Sequence, residues 1–293
     1  MASGTEITEL PLIVIVGPTA SGKSSAAISL GERIGGEIIC ADSRTIYKEM
    51  DIGTAKPSAA ERALIPHWGL DLVNPDQSFS VSDFKRYADE KIGEIRARGK
   101  VPILAGGSGL YIDAVIFDYQ FGDVADKLRR DYLDTWSMEK LYVYCKKNNI
   151  KLPENHKNKR YVIRAIERHG IDLKRNISPK GKTLIVGIAT DKVVLKQRIS
   201  ERSEQLFTNG VVDESIKLGK RYHWNTESMT GNIYPLIHSY LKGEATLEFI
   251  QRKFEALDWG LAKRQLTWFR RNPYIVWQRR EDVIVHIETE LAG

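Results

Sequence analysis

Near the beginning of the chain stands the run Leu12-Ile13-Val14-Ile15-Val16, followed directly by Gly17-Pro18-Thr19-Ala20-Ser21-Gly22-Lys23-Ser24. The unbroken apolar run is typical of a buried strand, and the glycine-bounded loop after it is typical of a phosphate-binding loop that opens a helix at Lys23. Gly17 and Gly22 allow backbone geometry that residues with a Cβ avoid, so that successive N–H groups can turn toward an anion. The helix N-terminus and Lys23 add positive charge, and Ser24 offers a hydroxyl suited to Mg²⁺. The stretch predicts a polyphosphate site over residues 17–24, without showing which compound carries the phosphates.

Further apolar runs alternate with helical spacing along the first hundred residues and return near residue 183. Strands are predicted over Glu37–Asp42, Lys100–Ala105 and Thr183–Ala189, and a helix over Ser82–Arg98 with Ser82 as its N-cap. Because these runs do not alternate with polar residues, they indicate a parallel sheet covered on both faces. The predicted fold class is α/β, with a parallel sheet core like that of the P-loop NTPases. Ligands of such sheets bind outside the carboxyl ends of the strands, so the ends of the first three runs should meet at one site.

The hydrophobic pattern and the charge of the sequence change between residues 119 and 180, where strand-like runs give way to helical, basic sequence. We predict a small all-helical insert there, within a core made of residues 1–118 and 181–293 whose second part is mostly helical. The net charge of +6 is concentrated: residues 140–176 contain eleven Lys and Arg against three Asp and Glu, and residues 251–280 eight against two. The two segments predict a polyanionic partner, with solvated helix faces as the alternative.

The composition favours a cytoplasmic protein. No apolar run approaches the roughly 20 residues that span a bilayer, and the first residues lack the pattern of a signal peptide. Cys40 and Cys145 are the only cysteines, which is too few for a metal cluster and points to a reducing compartment.

Three groups of residues outside the loop are candidates for chemistry. Asp42 ends a strand and suits a Mg²⁺ ligand of a kinase-like site, a general base, or merely a cap at the surface. The segment Gly106-Gly107-Ser108-Gly109 offers a close backbone approach and a hydroxyl, or only a tight turn. Arg198 and Arg202 share a helix face, which is either exposed or part of a lid over phosphate.

Taken in order, several blocks of this sequence resemble the tRNA dimethylallyltransferases. They are the loop at residues 17–24, Ala41-Asp42-Ser43, Tyr47 with Ile52-Gly53-Thr54-Ala55-Lys56-Pro57, Gly106-Gly107-Ser108-Gly109-Leu110-Tyr111, Arg160 to Glu167, Arg198-Ile199 with Arg202, and Leu261-Ala262-Lys263-Arg264-Gln265-Leu266-Thr267-Trp268-Phe269-Arg270. The loop is shared with many kinases, whereas residues 52–57 and 261–270 are far more specific.

The resemblance implies transfer of a dimethylallyl group from its pyrophosphate to the exocyclic amine of the adenosine that follows the anticodon of a tRNA. It implies that residues 17–24 bind the pyrophosphate with Mg²⁺, that Thr19 lies beside the reacting centre, that Asp42 accepts the proton, and that Arg202 stabilises the leaving group. The partners implied are dimethylallyl pyrophosphate and the tRNA anticodon stem-loop, with no protein partner and no membrane. The implied tRNA contacts are Asp42, Ser43, Arg44, Thr45, Ser108, Arg129, Arg160, Tyr161, Val162, Ile163 and Arg164.

The sequence departs from the family's pattern in places. Thr45 stands where the family usually has Gln, and Asn232-Ile233-Tyr234-Pro235-Leu236 stands where it has Ile-Gly-Tyr-Lys-Glu, so the RNA contacts are altered; the insert also looks slightly trimmed. Three alternatives to a tRNA prenyltransferase remain at this stage: a P-loop kinase of nucleotides or small molecules, a prenyltransferase acting on free adenine nucleotides, and an RNA-binding protein that has lost catalysis.

Overall fold

The computed structural model describes residues 10–121, 127–169 and 174–292. Contacts divide the chain into two compact units. The first contains Met1–Ile116 and Pro179–Gly293, and the second contains Phe117–Ser178. The sequence predicts an insert over residues 119–180, and the second unit occupies this part of the chain.

One six-stranded parallel sheet forms the centre of the first unit, in the order β3-β2-β4-β1-β5-β6. Its strands are β1 (Leu12–Val16), β2 (Gly36–Ala41), β3 (His67–Trp68), β4 (Val101–Gly106), β5 (Thr183–Ala189) and β6 (Val276–Arg279). The four strands predicted from apolar runs are confirmed. The two edge strands β3 and β6 were not predicted, because they are short, carry polar residues and are only half-buried.

The described residues form twelve α-helices. They are α1 (Lys23–Ile34), α2 (Ala59–Leu64), α3 (Val81–Ala97), α4 (Gly109–Ile116), α5 (Lys127–Asp134), α6 (Met138–Lys147), α7 (Lys159–Glu167), α8 (Lys192–Thr208), α9 (Val211–Tyr222), α10 (Tyr234–Leu241), α11 (Leu247–Phe269) and α12 (Val283–Ala292), with a 3₁₀ turn at Ser228–Thr230. Of these, α5, α6 and α7 lie in the second unit. No helix of the described residues combines the length and apolar character needed to cross a membrane.

The predicted N-cap of α3 was wrong by two residues. Ser80, not Ser82, caps the helix: its Oγ accepts the N–H of Asp83 at 3.2 Å, and Asp83 Oδ2 accepts the N–H of Ser80 at 3.0 Å. This reciprocal pair needs an acidic or amide side chain three residues after the cap, which Ser80 has and Ser82, followed by Lys85, lacks.

Among the apolar clusters that the described residues form in the first unit, the two largest position the helices around the site. One lies between the sheet and helices α1 and α12 and includes Ile15, Leu30 and Ile287. The other joins the segment after β2 to helices α9–α11, with Tyr234 and Phe254 among its buried residues. Burying side chains of this size contributes roughly 1.5–3 kcal/mol each, which fixes the helices that supply the site.

The second unit has a small core of its own, made by helices α5, α6 and α7. Leu133, Leu141, Cys145, Val162 and Ile166 are buried in it. Arg130 pairs with Glu167 at 2.8 Å, which ties α5 to α7.

Candidate active site

The carboxyl ends of β1, β2 and β4 meet at one edge of the sheet. Val16 is paired in register with Gly106, and Gly106 with Ala41, so the loops that follow these three strands start side by side. The predicted convergence of the three strand ends is therefore confirmed. A Cβ on Gly106 would collide with the carbonyl of Ala41, so the close approach of the two strands requires glycine there.

The phosphate-binding loop has the geometry of an anion site. Gly22 precedes α1 with φ +90°, and no side chain caps the first turn of the helix, which leaves its N–H groups available to a ligand. Gly17, however, has no positive φ; a Cβ there would lie 2.8 Å from Ser21 Oγ, so that the hydroxyl would have to move. The second left-handed residue of the loop is Ala20, with φ +60°, which the sequence did not indicate.

The side chain of Lys23 folds back onto the phosphate-binding loop. Its amino group donates a hydrogen bond to the carbonyl of Pro18 at 2.7 Å. Burial lowers the pKa of Lys23 from 10.5 to about 8; nearby Asp42 opposes this shift, and Arg202 adds to it. Asp42 and Arg202 therefore both act electrostatically on the amine of the phosphate loop.

The segment after β2 is tied to the segment after β4. Asp42 Oδ1 accepts the N–H of Arg44 at 2.8 Å, which orients the carboxylate. The N–H of Ser43 donates to Ser108 Oγ at 3.0 Å, and the N–H of Ser108 donates to the carbonyl of Ala41 at 3.2 Å. Ser108 therefore does more than complete a tight turn, because its hydroxyl holds the loop that carries Asp42.

Arg198 and Arg202 of α8 both reach the phosphate loop. Arg198 Nη1 donates to the carbonyl of Ser21 at 3.4 Å, and Arg202 Nη1 donates to Thr19 Oγ1. Both arginines are partly buried, so the alternative of a solvated helix face is wrong for this pair. A guanidinium that contacts the loop can also contact a phosphate bound in it.

A residue to which the sequence assigned no role, Gln265, clamps the same loop from α11. Its Oε1 accepts the N–H of Thr19 at 2.7 Å, and its Nε2 donates to the carbonyl of Gly107 at 3.1 Å. Three residues further along, Trp268 donates to Asp113 Oδ2 at 2.8 Å. Both residues belong to the block 261–270, which is one of the more specific parts of the family resemblance. Their place in this block was the feature of the sequence that could have marked them as functional.

The donor set suits Mg²⁺ only if phosphate supplies most of the ligands. The Ser24 side chain is exposed in the first turn of α1, and its hydroxyl is a hard oxygen donor. Among the residues that the structure describes, no group of three or more His, Cys, Asp or Glu side chains could hold a metal ion. The residues therefore fit an ion that arrives with a polyphosphate and keeps several waters.

Known proteins match this chain over most of its length. The family model described as IPP transferase matches residues 45–272, and the model described as isopentenyl transferase matches residues 10–66. The chain belongs to the IPP transferase family. Among relatives in this family, a tRNA dimethylallyltransferase of Acetivibrio thermocellus is 39% identical and covers 92% of this chain and 92% of the relative. One of Staphylococcus haemolyticus is 36% identical, covering 94% of this chain and 89% of the relative.

Solved structures of IPP transferases have the same fold. A tRNA isopentenylpyrophosphate transferase of Bacillus halodurans gives a TM-score of 0.75 at 34% identity, over 97% of this chain and 96% of that one. A eukaryotic dimethylallyltransferase that acts on tRNA gives a TM-score of 0.78 at 22% identity, over 92% of this chain and 74% of that one, which shows the shared fold.

The residues that the resemblance to the IPP transferases marks for tRNA are found in both units. Asp42, Ser43 and Ser108 lie at the sheet edge described above. Arg44 connects the segment after β2 to the 3₁₀ turn, donating to the carbonyls of Glu227 and Ser228 at 3.0 and 3.3 Å. Thr45, at 6% exposure, is buried, and its Oγ1 has no hydrogen-bond partner among the described residues.

In the second unit, three of the predicted tRNA contacts offer exposed side chains on α7: Arg160, Tyr161 and Arg164. Arg129, on α5, is partly exposed. Val162 and Ile163 require a correction, because their side chains are 0% and 3% exposed and pack in the core of this unit. On an amphipathic helix, residues that face the core are not available to a ligand on the opposite face.

The segment that departs from the family pattern also has a structural role. Tyr234 is buried, and its hydroxyl donates to Glu214 Oε1 at 3.0 Å. Glu214 also accepts the N–H groups of Asp51, Ile52 and Gly53, so that it organises the start of the block 52–57. Burial raises the pKa of Tyr234, and nearby Glu214 adds to the shift.

Proposed function

We propose that this protein transfers a dimethylallyl group from dimethylallyl pyrophosphate to the N6 amine of the adenosine that follows the anticodon in tRNA. The observation that carries the proposal is the arrangement around Thr19. Arg202 contacts its hydroxyl and Gln265 holds its backbone, while Asp42 acts electrostatically on the amine of Lys23 in the same loop. A polyphosphate loop, a carboxylate base and a cation for the leaving group are the parts that such a transfer needs.

The reaction exchanges one bond for another. The N6 nitrogen attacks the first carbon of the allyl chain, the bond from that carbon to the pyrophosphate oxygen breaks, and the bonding electrons leave with the pyrophosphate. The N6 proton passes to the carboxylate of Asp42, which acts as general base. The N–H groups of the loop, Lys23 and Arg202 then stabilise the growing negative charge of the leaving group.

The chemistry requires these groups to be ordered in advance. Asp42 is oriented by the N–H of Arg44, and Thr19 is held by two long side chains from α8 and α11. Mg²⁺ bound by Ser24 and by the phosphates would supply further positive charge to the leaving group. The free energy of ordering is then spent in folding rather than in the reaction step.

The basic second unit supports a macromolecular acceptor. Arg160, Tyr161 and Arg164 present two charges and an aromatic ring on one exposed helix face, a combination suited to RNA phosphates and unstacked bases. A base that reacts at a site within a sheet-edge cleft must leave its stack, at a cost of about a few kcal/mol. We infer that contacts of this unit with the anticodon stem-loop offset that cost. A cytoplasmic location and the absence of a stable protein partner belong to the same proposal.

The deciding experiment supplies the protein with Mg²⁺, labelled dimethylallyl pyrophosphate and unmodified tRNA whose anticodon is followed by adenosine. Parallel reactions contain labelled ATP, or free AMP in place of tRNA. Label in the tRNA supports the proposal. Phosphoryl transfer from ATP without prenylation would indicate a kinase, label in AMP alone would indicate an enzyme of free nucleotides, and tRNA binding without either reaction would indicate a binding protein.

An Asp42→Ala variant tests the base directly. It should retain binding of inorganic pyrophosphate, because the loop is intact, while the rate of transfer falls by roughly 10²–10⁴-fold. Unchanged turnover would remove the role of base from Asp42.

A further inference from the structure

A buried carboxylate on α11 faces the arginine of the candidate site. Asp258 is 3% exposed, and its Oδ1 accepts a hydrogen bond from Asn232 Nδ2 at 2.9 Å. Its Oδ2 lies 3.6 Å from Arg202 Nη1, close enough for an ion pair and too far for a hydrogen bond. A carboxylate is kept buried only where a charge or hydrogen bonds compensate it, and here both partners can be identified.

The chain of contacts continues to the reacting centre. Arg202 donates to the hydroxyl of Thr19, whose backbone N–H is held by Gln265. Asp258 and Gln265 are seven residues apart on α11, with Ala262 between them, and such spacing places all three on one helix face. One face of α11 therefore holds Thr19 in two ways, through Gln265 directly and through Asp258 by way of Arg202.

We propose that Asp258, oriented by Asn232, is a positioning residue for Arg202 in the transfer reaction. This inference rests on the proposed function. An arginine side chain has many rotamers, and a guanidinium that is already in place when pyrophosphate leaves needs no reorganisation at that moment. Because Asp258 holds Arg202 by charge at 3.6 Å, it does not consume the donors; Arg202 Nε is buried and has no hydrogen-bond partner among the described residues.

The proposal gives a role to a segment that the sequence marks only as a departure from the family pattern. Asn232 is the first residue of that segment, and its amide fixes which way the Asp258 carboxylate turns. Without Asn232, Asp258 Oδ1 would be a buried acceptor lacking this donor, and the carboxylate would be free to rotate toward or away from Arg202.

A neighbouring contact provides the matched control. Glu255, three residues before Asp258 on α11, accepts a hydrogen bond from Ser200 Oγ of α8 at 3.2 Å. Both acids therefore connect α11 to α8, but only Asp258 contacts Arg202. A residue that merely joins the two helices would act like Glu255.

The test is steady-state kinetics of the full chain with dimethylallyl pyrophosphate and tRNA. The variants are D258N, N232A, R202A, E255Q and the double variant D258N/R202A, with thermal unfolding as a check of folding. D258N should lower kcat by about 10²-fold, the size expected for a misplaced catalytic group, with a much smaller change of KM for the donor. N232A should lower kcat in the same direction but less, and E255Q should leave it unchanged.

The double variant separates positioning from structure. If Asp258 acts through Arg202, D258N has no further effect on kcat in the R202A background. An equal loss in both backgrounds, or a loss with E255Q that matches D258N, would overturn the proposal. If D258N does not fold, N232A measured with and without R202A decides by the same comparison. Failure of the unchanged protein to prenylate tRNA would instead sink the proposed function, and this inference with it.

Discussion

Gln265 accepts a hydrogen bond from the backbone N–H of Thr19 at 2.7 Å, although 246 positions of sequence separate the two residues. The same amide donates to the carbonyl of Gly107, so one side chain of α11 fixes the loop after β1 relative to the loop after β4. An amide carries an acceptor oxygen and a donor nitrogen side by side, so it can bridge two backbones in this way without carrying charge.

Replacing this amide should loosen the phosphate loop. We expect Gln265→Leu, which keeps the approximate size but loses both hydrogen bonds, to reduce kcat/KM for the allylic donor by roughly 10²-fold. Gln265→Glu should be intermediate, because it can still accept from Thr19 but cannot donate to Gly107. The exposed Gln197→Leu on α8 is the control, and equal kinetics for Gln265→Leu and the control would contradict the role of the clamp.

The pKa of Lys23 predicts a basic limb in the pH profile. Burial lowers this pKa to about 8, so above that pH the free enzyme loses the charge that attracts pyrophosphate. kcat/KM for the donor should therefore fall above about pH 8, since this ratio reports the pKa values of the free enzyme. Lys23→Arg should be less active but free of this limb, because a guanidinium remains charged. If kcat/KM of Lys23→Arg fell at the same pH, the fall would have to be assigned to another titrating group.

The same shift has a consequence of opposite sign for stability. Between pH 8 and 10.5 the unfolded chain holds a proton on Lys23 that the folded chain has lost. The contribution of Lys23 to the free energy of unfolding therefore rises with pH across this window and is at its lowest below pH 8. Urea unfolding of the unchanged protein and of Lys23→Met measures this effect at about pH 7.5, below the window, and at about pH 9.5, within it. The difference in stability between the two proteins should shrink at the higher pH.

Glu214 should be important for stability rather than for chemistry. Its carboxylate accepts three backbone N–H groups at 2.6–2.9 Å and the hydroxyl of Tyr234 at 3.0 Å. Glu214→Gln places an NH₂ group among donors, and we expect the free energy of unfolding to fall by about 1–3 kcal/mol. The exposed Glu204→Gln on α8 should change it by less than about 0.5 kcal/mol. Urea titrations compare the two, and equal midpoints would show that the hydrogen bonds contribute nothing.

Replacing the exposed arginines of α7 should weaken tRNA binding. The double variant Arg160→Ala/Arg164→Ala should weaken tRNA binding and reduce the slope of log K against log salt by about 2, one for each phosphate contact. Binding of the donor should not change. Lys217→Ala/Lys220→Ala on α9 removes the same charge from the first unit and is the control. If the two double variants change the salt dependence of tRNA binding equally, the change reflects net charge and not phosphate contacts of Arg160 and Arg164.

Much of the core follows from local pattern, which explains why it was predictable. The strands β1, β2, β4 and β5 are unbroken apolar runs, and the loop 17–24 is recognisable because both its residues and its neighbours are local in sequence. Strand β6 was missed because Val276–Arg279 forms a strand only by pairing with β5, which lies almost ninety residues earlier. The N-cap of α3 was misplaced because two serines compete and the acid at residue 83 selects Ser80.

The candidate site likewise has features that are local in sequence and features that only the fold brings together. Residue types and spacing already pointed to a polyphosphate loop, to Asp42 at a strand end and to Arg198 and Arg202 on one helix face, because each of these is a relation between neighbours in the chain. Other features of the site depend on side chains brought together from distant segments. These features are the two hydrogen bonds of Gln265, the pairing of Asn232 and Asp258 beside Arg202, and the burial of Thr45, Val162 and Ile163. Hydrogen bonds and ion pairs are short-range and directional, so only the folded chain could decide which of the many polar residues are close enough to form them.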